Sequence, residues 1–189
     1  GAGKSVLFRA LLGLVPHQGE IIWKKGVKIG YVPQRLSVDR GLPVSMYEFL
    51  RFQGGDEEVR EACSLVGIRD NAMLQKSLGV LSGGELQRVL VAWAIIGSPD
   101  VLLFDEPVAG IDIGGEETIY KLLFRLHEEQ GLTILLISHD LDIVYRYADL
   151  VLCLNREALC FGKPAETLDS ASLAKLYGEA ALVHHHHKT

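Results

Sequence analysis

Four short stretches carry residues whose types and spacing could do chemistry. The first is GAGKS, Gly1–Ser5. Gly1 and Gly3 let a backbone approach an anion with no Cβ in the way. Lys4 brings a full charge to the outer phosphates of a nucleotide, and the Ser5 hydroxyl can ligate Mg²⁺. A helix starting here adds unpaired N–H groups and about half a positive charge. The chemistry is nucleoside triphosphate binding; a chance glycine turn is the bland alternative. GAGKS is the back half of G-x-x-x-x-G-K-[ST], so the sequence is read as a fragment of a longer protein. The second stretch, VLLFDEP (Val101–Pro107), sets two carboxylates side by side at the C-terminal end of an apolar run, where open α/β sheets place ligands. Asp105 suits Mg²⁺, directly or through water. Glu106 suits orienting and deprotonating an attacking water. An acidic turn would look similar. The third, LSGGELQR (Leu81–Arg88), reads as an S-x-x-E capping box, Ser82 with Glu85, opening a helix over Leu86–Ile96. Gly83 and Gly84 keep that helix start bare, which makes it a second anion-binding end. An ordinary capped helix explains Ser82 and Glu85 but not the glycine pair. Two copies packed head to tail would use both ends. The fourth is the run His184, His185, His186 and His187, four imidazoles able to bind Zn²⁺ without a preformed fold.

The elements that must position these residues alternate between strand and helix. Val6–Leu14 has helical apolar spacing and stops at Gly13–Pro16. Val27–Val32 reads as a short strand closed by Pro33. From Val44 to Gly97 strand runs vanish, and helical segments near Met46–Phe52 and Glu57–Val66 are separated by polar, glycine-containing joints. Residues 44–97 are therefore read as a helical insert. Val101–Phe104 predicts a strand buried on both faces. A helix over Gly115–Gln130 follows, then a second buried strand, Ile134–Ile137. A helix over Leu141–Tyr147 leads to a hairpin, Val151–Leu154 with Ala158–Phe161, and short helices near Ala165 and Ser172 close the fold. Strand, crossover helix, strand predicts an α/β fold, a mostly parallel sheet flanked by helices. Residues 1–183 are read as one domain and 184–189 as a histidine-rich tail.

Composition narrows the function. The chain has 189 residues, 48% hydrophobic and 23% charged, with a net charge of −5. That is room for one sizeable core. With no sustained basic run, nucleic acid is not expected as a partner. No apolar stretch approaches the ~18–20 residues that span a bilayer. Cys63, Cys153 and Cys160 form no CxxC pattern and are expected as reduced, packed thiols. Cys153 and Cys160 could face one another across the hairpin if its turn is Arg156–Glu157.

Taken together, the motifs resemble those of ATP-binding-cassette (ABC) ATPases. GAGKS resembles the Walker A motif, LLFDEP the Walker B motif and LSGGE the family signature. YVPQ supplies Gln34 at the Q-loop position, AGID (Ala109–Asp112) resembles the D-loop, and ISHD supplies His139 as the switch histidine. They stand in family order from Gly1 to about Phe161. The resemblance implies a P-loop NTPase with an inserted helical subdomain, an ATPase using ATP and Mg²⁺. Gly1, Ala2, Gly3, Lys4, Ser5 and Val6 would hold the nucleotide; Ser5, Gln34 and Asp105 would hold Mg²⁺. Glu106, His139 and Gln34 would be catalytic. Ser82, Gly83, Gly84 and Glu85 would meet the nucleotide of the opposite subunit, with Asp112 at the contact. Homodimerisation through a nucleotide sandwich, a membrane permease, an extracytoplasmic metal-binding protein and a peripheral place on the cytoplasmic face of the plasma (inner) membrane come with the family. The front of the Walker A loop, the strand before it and the adenine-stacking aromatic have no counterpart in this sequence.

Two longer stretches, IGYVPQRLSVDRGLPVSMYEFL and SHDLDIVYRYADLVLCLNRE, are similar to ATPase subunits of zinc and manganese uptake systems. VHHHHKT (Val183–Thr189) resembles the histidine-rich tails of zinc-importer ATPases. The tail, with His184, His185, His186 and His187, is read as native and zinc-binding; a tag remnant is the alternative. An ABC motor for another substrate, or a non-transport ABC ATPase, stays open from the residues.

Overall fold

The computed structural model describes residues 2–34, 36–39, 41–106, 113–169, 172–173 and 176, with the side chains of 113–118 excepted. In chain order the elements are α1 (Lys4–Leu11), β1 (Ile29–Val32), α2 (Met46–Arg51), α3 (Asp56–Leu65), α4 (Asn71–Leu74), a 3₁₀ turn (Leu78–Val80), α5 (Gly83–Ile95), β2 (Val101–Asp105), α6 (Ile113–Gln130), β3 (Thr133–Ile137), α7 (Leu141–Tyr147), β4 (Val151–Asn155), β5 (Glu157–Gly162) and α8 (Pro164–Thr167). They fall into two compact units, Ile22–Ile137 and Gly1–Ile21 with Ser138–Thr189.

The Ile22–Ile137 unit is built on a parallel sheet of order β1-β2-β3. The central strand β2 is buried along its whole length, with Leu102, Leu103 and Phe104 fully enclosed. An unbroken apolar run is what a two-faced parallel strand needs. Asp100 ties the strand starts together: its carboxylate accepts from Lys28 N–H at 2.8 Å and its carbonyl from Thr133 N–H at 3.1 Å. Helix α5 lies hard against β1. A Cβ on Gly30 would collide with the Ala94 carbonyl, so only glycine permits that approach. The helical region packs around α5 through Met46, Leu50, Val59, Ala62, Val89 and Ala92, all buried. Phe49 of α2 stacks on Trp93 of α5 with ring centroids 4.3 Å apart. Two arginines satisfy carbonyls at the end of α3: Arg125 donates to Leu65 at 2.5 Å and Arg88 to Val66 at 2.8 Å. Helix α4 and the 3₁₀ turn are additions to the sequence reading; Asp70 and Ser77 cap them by accepting from Ala72 and Gly79 N–H.

The other unit holds α1, α7, the β4–β5 hairpin and α8. Asp140 caps α7 by accepting from Asp142 N–H at 2.9 Å and Ile143 N–H at 3.3 Å. The Tyr145 hydroxyl donates to the Leu168 carbonyl at 3.0 Å, tying α7 to the end of α8. The hairpin turn is tighter than expected: Asn155 pairs with Glu157, leaving Arg156 alone at the turn with φ 63°. Pairing then jumps from Leu154↔Ala158 to Cys153↔Cys160, so Leu159 bulges and the two cysteines come opposite. Their Cα atoms are 4.8 Å apart and they form a disulfide. This corrects the expectation of three free thiols. Spacing alone hides the pairing, because the bulge sets which residue meets Cys153. Cys63 is the buried, free thiol that was expected.

Candidate functional site

Each group of site residues has its own local cause. In the second unit, Gly3 precedes α1 in the left-handed region, φ 88° and ψ 4°, a conformation cheap only for glycine. No side chain caps α1, and its first turn holds no acidic residue. Lys4 and Ser5 are its first two residues, followed by Val6. The N-terminus of α1 therefore presents backbone N–H groups next to a lysine and a hydroxyl, the donor set an anionic phosphate needs. The loop is braced from behind, where Arg156 N–H donates to the Ala2 carbonyl at 2.9 Å. His139 is exposed on the turn between β3 and α7. That turn is shaped by Asp140, whose N–H donates to Ser138 Oγ at 3.1 Å while its carboxylate caps α7.

In the Ile22–Ile137 unit, the parallel register pairs Val32 with Phe104. Gln34 and Glu106 each stand two residues beyond that pair, so continued register brings them together. Gln34 Nε2 donates to Glu106 Oε2 at 2.9 Å. Glu106 has φ 28°, a value costly for any residue with a Cβ. Asp105, its neighbour, ends β2 with only 3% of its surface exposed. A carboxylate at the C-terminal end of a buried parallel strand is of the oxygen-donor type that suits a hard divalent cation.

The signature stretch forms the predicted capping box. Ser82 N–H donates to Glu85 Oε2 at 2.8 Å, and Glu85 N–H to Ser82 Oγ at 3.2 Å. The Ser82 N–H and hydroxyl, with a salt bridge from Lys76 at 3.1 Å, hold the Glu85 carboxyl below its ordinary value. The helix begins at Gly83, earlier than the expected Leu86, so both glycines belong to its first turn. Ser82 and Gly83 are exposed and Gly84 half-buried.

Gly1 and Asp112 lie outside the described residues. So do His184, His185, His186 and His187, the four imidazoles expected to bind zinc. Among the described residues no group of three or more histidine, cysteine, aspartate or glutamate side chains could hold a metal ion. Lys76, which braces Glu85, has no signal in the sequence because it sits in a polar joint with no periodicity. Arg156 has none either, since a backbone donor bears no side-chain signature.

Among the described residues these features belong to a class of α/β fold that carries a helix start with the donors a phosphate needs, an acidic strand end and a capped helix start opened by two glycines. Comparison with known proteins narrows it. The family model described as ABC transporter matches residues 1–109. Zinc import ATP-binding protein ZnuC of Pseudomonas entomophila (strain L48) is 39% identical, the match covering 99% of this chain and 75% of that protein. ZnuC of Pseudomonas aeruginosa (strain UCBPP-PA14) is 40% identical, over 99% and 71%. Among solved structures, a metal-chelate type ABC transporter in an inward-facing conformation matches with a TM-score of 0.84 at 27% identity, covering 94% of this chain and 75% of that one. cbiO1 from Clostridium perfringens, part of the complex cbiONQ, matches with a TM-score of 0.72 at 28% identity, covering 92% and 78%. The chain belongs to the ABC transporter family, as an ATP-binding, ATP-hydrolysing subunit. None of the described helices is long and apolar enough to cross a membrane.

Proposed function

We propose that this chain is the motor of a zinc importer, hydrolysing MgATP on the cytoplasmic face of the plasma (inner) membrane to drive a permease fed by an extracytoplasmic metal-binding protein. The zinc assignment rests on the relatives, whose names state zinc import. The hydrolytic assignment rests on one observation above others, the Gln34 amide bonded to the Glu106 carboxylate beside buried Asp105. In this reading residues 1–183 are one ABC ATPase domain with 44–97 as its helical insert. Gly1–Val6 take the phosphates, with Lys4 neutralising the outer ones. Ser5, Asp105 and Gln34 hold Mg²⁺, an all-oxygen donor set suited to it, and the ion would supply charge neutralisation on the phosphates. Glu106 takes the proton of the attacking water; the neutral Gln34 amide orients that carboxylate without competing for the proton. His139 contacts the γ-phosphate. Ser82, Gly83, Gly84 and Glu85 serve the nucleotide of a second copy, with Asp112 at the contact between copies, so closure precedes hydrolysis. His184, His185, His186 and His187 bind zinc as a terminal tail.

The test is Glu106→Gln in the full-length subunit. The amide keeps the shape and loses the base. ATP binding should persist, hydrolysis should fall by about 10²–10⁴-fold, and ATP should trap a dimer. Near-normal turnover would remove Glu106 from its role.

A further inference from the structure

The β4–β5 hairpin meets the phosphate loop through a backbone hydrogen bond. Arg156, standing between paired Asn155 and Glu157, donates its N–H to the Ala2 carbonyl at 2.9 Å. The chain holds no cis peptide among the described residues. In a trans peptide the C=O and the next N–H point to opposite sides of one rigid plane. Fastening the Ala2 carbonyl to the hairpin therefore turns the Gly3 N–H away from it. Gly3 is the left-handed residue opening α1, and its N–H is one of the donors that a phosphate would meet. The hairpin turn thus sets the direction of a cradle donor.

The same hairpin is crossed by Cys153 and Cys160. They are register partners with Cα atoms 4.8 Å apart, inside the ~4.4–6.8 Å span that a disulfide bridges. Cys153 is 3% exposed, whereas Cys160 is half-buried and open to exchange. The third cysteine is of another kind. Burial pushes the Cys63 thiol up to about 11, leaving it almost without thiolate and inert. An isolated two-stranded hairpin is marginally stable in water, and this one carries a bulge, so a covalent cross-link changes how often it frays.

We propose that Cys153 and Cys160 form a thiol–disulfide exchange site for small thiols of the glutathione class, and that the oxidised hairpin fixes the phosphate loop in its nucleotide-binding geometry. This rests on reading Ala2–Ser5 as the nucleotide cradle in a reducing compartment, where a reversible disulfide acts as a sensor. Oxidation proceeds in two exchanges. The Cys160 thiolate attacks one sulfur of glutathione disulfide and expels a glutathione thiolate. The Cys153 thiolate then attacks the Cys160 sulfur of the mixed disulfide, forms the protein disulfide and expels the second glutathione. The protein gives up two electrons and two protons; glutathione disulfide takes them up as two thiols. Reduction reverses both steps. In the reduced hairpin Arg156 leaves Ala2 part of the time, and ATP must reorder the loop on binding. The cross-linked hairpin removes that cost, so KM for ATP should fall on the order of two- to fivefold while kcat holds.

The experiment uses the intact transporter poised in glutathione buffers, with the thiols of this subunit counted by alkylation and mass spectrometry alongside ATPase kinetics. In oxidising buffer the three cysteines should yield one alkylated thiol, Cys63, together with the lower KM, both reversed by dithiothreitol. Cys153→Ser/Cys160→Ser should keep the higher KM in every buffer. Cys160→Ser alone, at the half-exposed position, is the milder variant and should do the same. Three alkylated thiols in oxidising buffer would overturn the proposal. So would an oxidised pair whose KM matches that of the variants. A subunit that binds no ATP in either redox state would instead refute the cradle reading.

Discussion

The N-termini of α2 and α5 are capped by the same hydrogen bonds. Ser45 N–H donates to Glu48 Oε2 and Ser82 N–H to Glu85 Oε2, both at 2.8 Å. Glu48 N–H returns to Ser45 Oγ and Glu85 N–H to Ser82 Oγ, both at 3.2 Å. What differs is the pair of residues inside each box. In α2 they are Met46, with no exposed surface, and Tyr47, whose hydroxyl donates to Asp56 at 2.7 Å. In α5 they are Gly83 and Gly84. One box anchors a helix in the core; the other opens a helix with two residues that carry no side chain. The cap supplies the stability of a helix end, and the residues it encloses decide whether that end can serve a ligand.

Breaking the difference should have the largest effect on activity. Gly84→Tyr makes the α5 box resemble that of α2. The capping bonds remain, and tyrosine is a better helix former than glycine, so the thermal midpoint should hold. ATPase turnover should fall by about 10²–10³-fold, the loss typical of removing an electrostatic contact to a reacting phosphate. ATP-driven dimerisation should fail while ATP still binds the monomer. The reciprocal change, Tyr47→Gly, should cost about 1 kcal/mol of stability through propensity and leave turnover per folded molecule unchanged.

The next largest effect falls on stability alone. Met46→Ala empties a fully enclosed position and should cost about 2–5 kcal/mol, read from denaturant unfolding. Turnover per folded molecule should stay within error, since the buried Met46 side chain is no part of the proposed site.

The comparison also shows which parts of the molecule were legible in the residues. The α5 box was readable because Ser82 and Glu85 sit at capping spacing ahead of an apolar run. Strand β2 was readable because VLLF between Pro99-Asp100 and Asp105 leaves no polar face. The α2 box has the same spacing but no glycine pair to set it apart from its helix. The contact between Gln34 and Glu106 has no local signature; it arises from the parallel register of β1 on β2, which is a property of the sheet. Helix α4 and the 3₁₀ turn are too short to show a period. The disulfide depends on the bulge at Leu159, and a bulge is set by twist and packing rather than by a motif.

Removing each cap serine should produce a middling effect that differs between the two helices. Ser45→Ala and Ser82→Ala should each cost about 1 kcal/mol of stability, the usual worth of an N-cap. If the comparison holds, only Ser82→Ala should also lower turnover at saturating ATP. Equal ATPase losses in both would make the two boxes alike in function.

The smallest effect is in the acid range and separates the boxes by their surroundings. Glu48 and Glu85 both lie below the ordinary carboxylate value of 4.5, first because the cap serine's N–H bonds the charged form. A depressed folded value means the unfolded chain binds protons more readily, so each group's stabilisation is complete above 4.5 and is lost as pH falls through the lower folded value. Glu48→Gln and Glu85→Gln should therefore lower the melting temperature slightly at neutral pH. Each difference from the parent should close between about pH 4.5 and the folded value, because the parent's own carboxyl is then protonated. Lys76 adds to the Glu85 shift and has no counterpart at Glu48. Raising salt from low to about 1 M screens that exposed pair. The neutral-pH difference for Glu85→Gln should shrink with salt while that for Glu48→Gln stays nearly constant. Differential melts over pH and salt make the measurement; a Glu48 effect as salt-sensitive as that of Glu85 would mean that charge pairing, rather than the shared serine cap, sets both shifts.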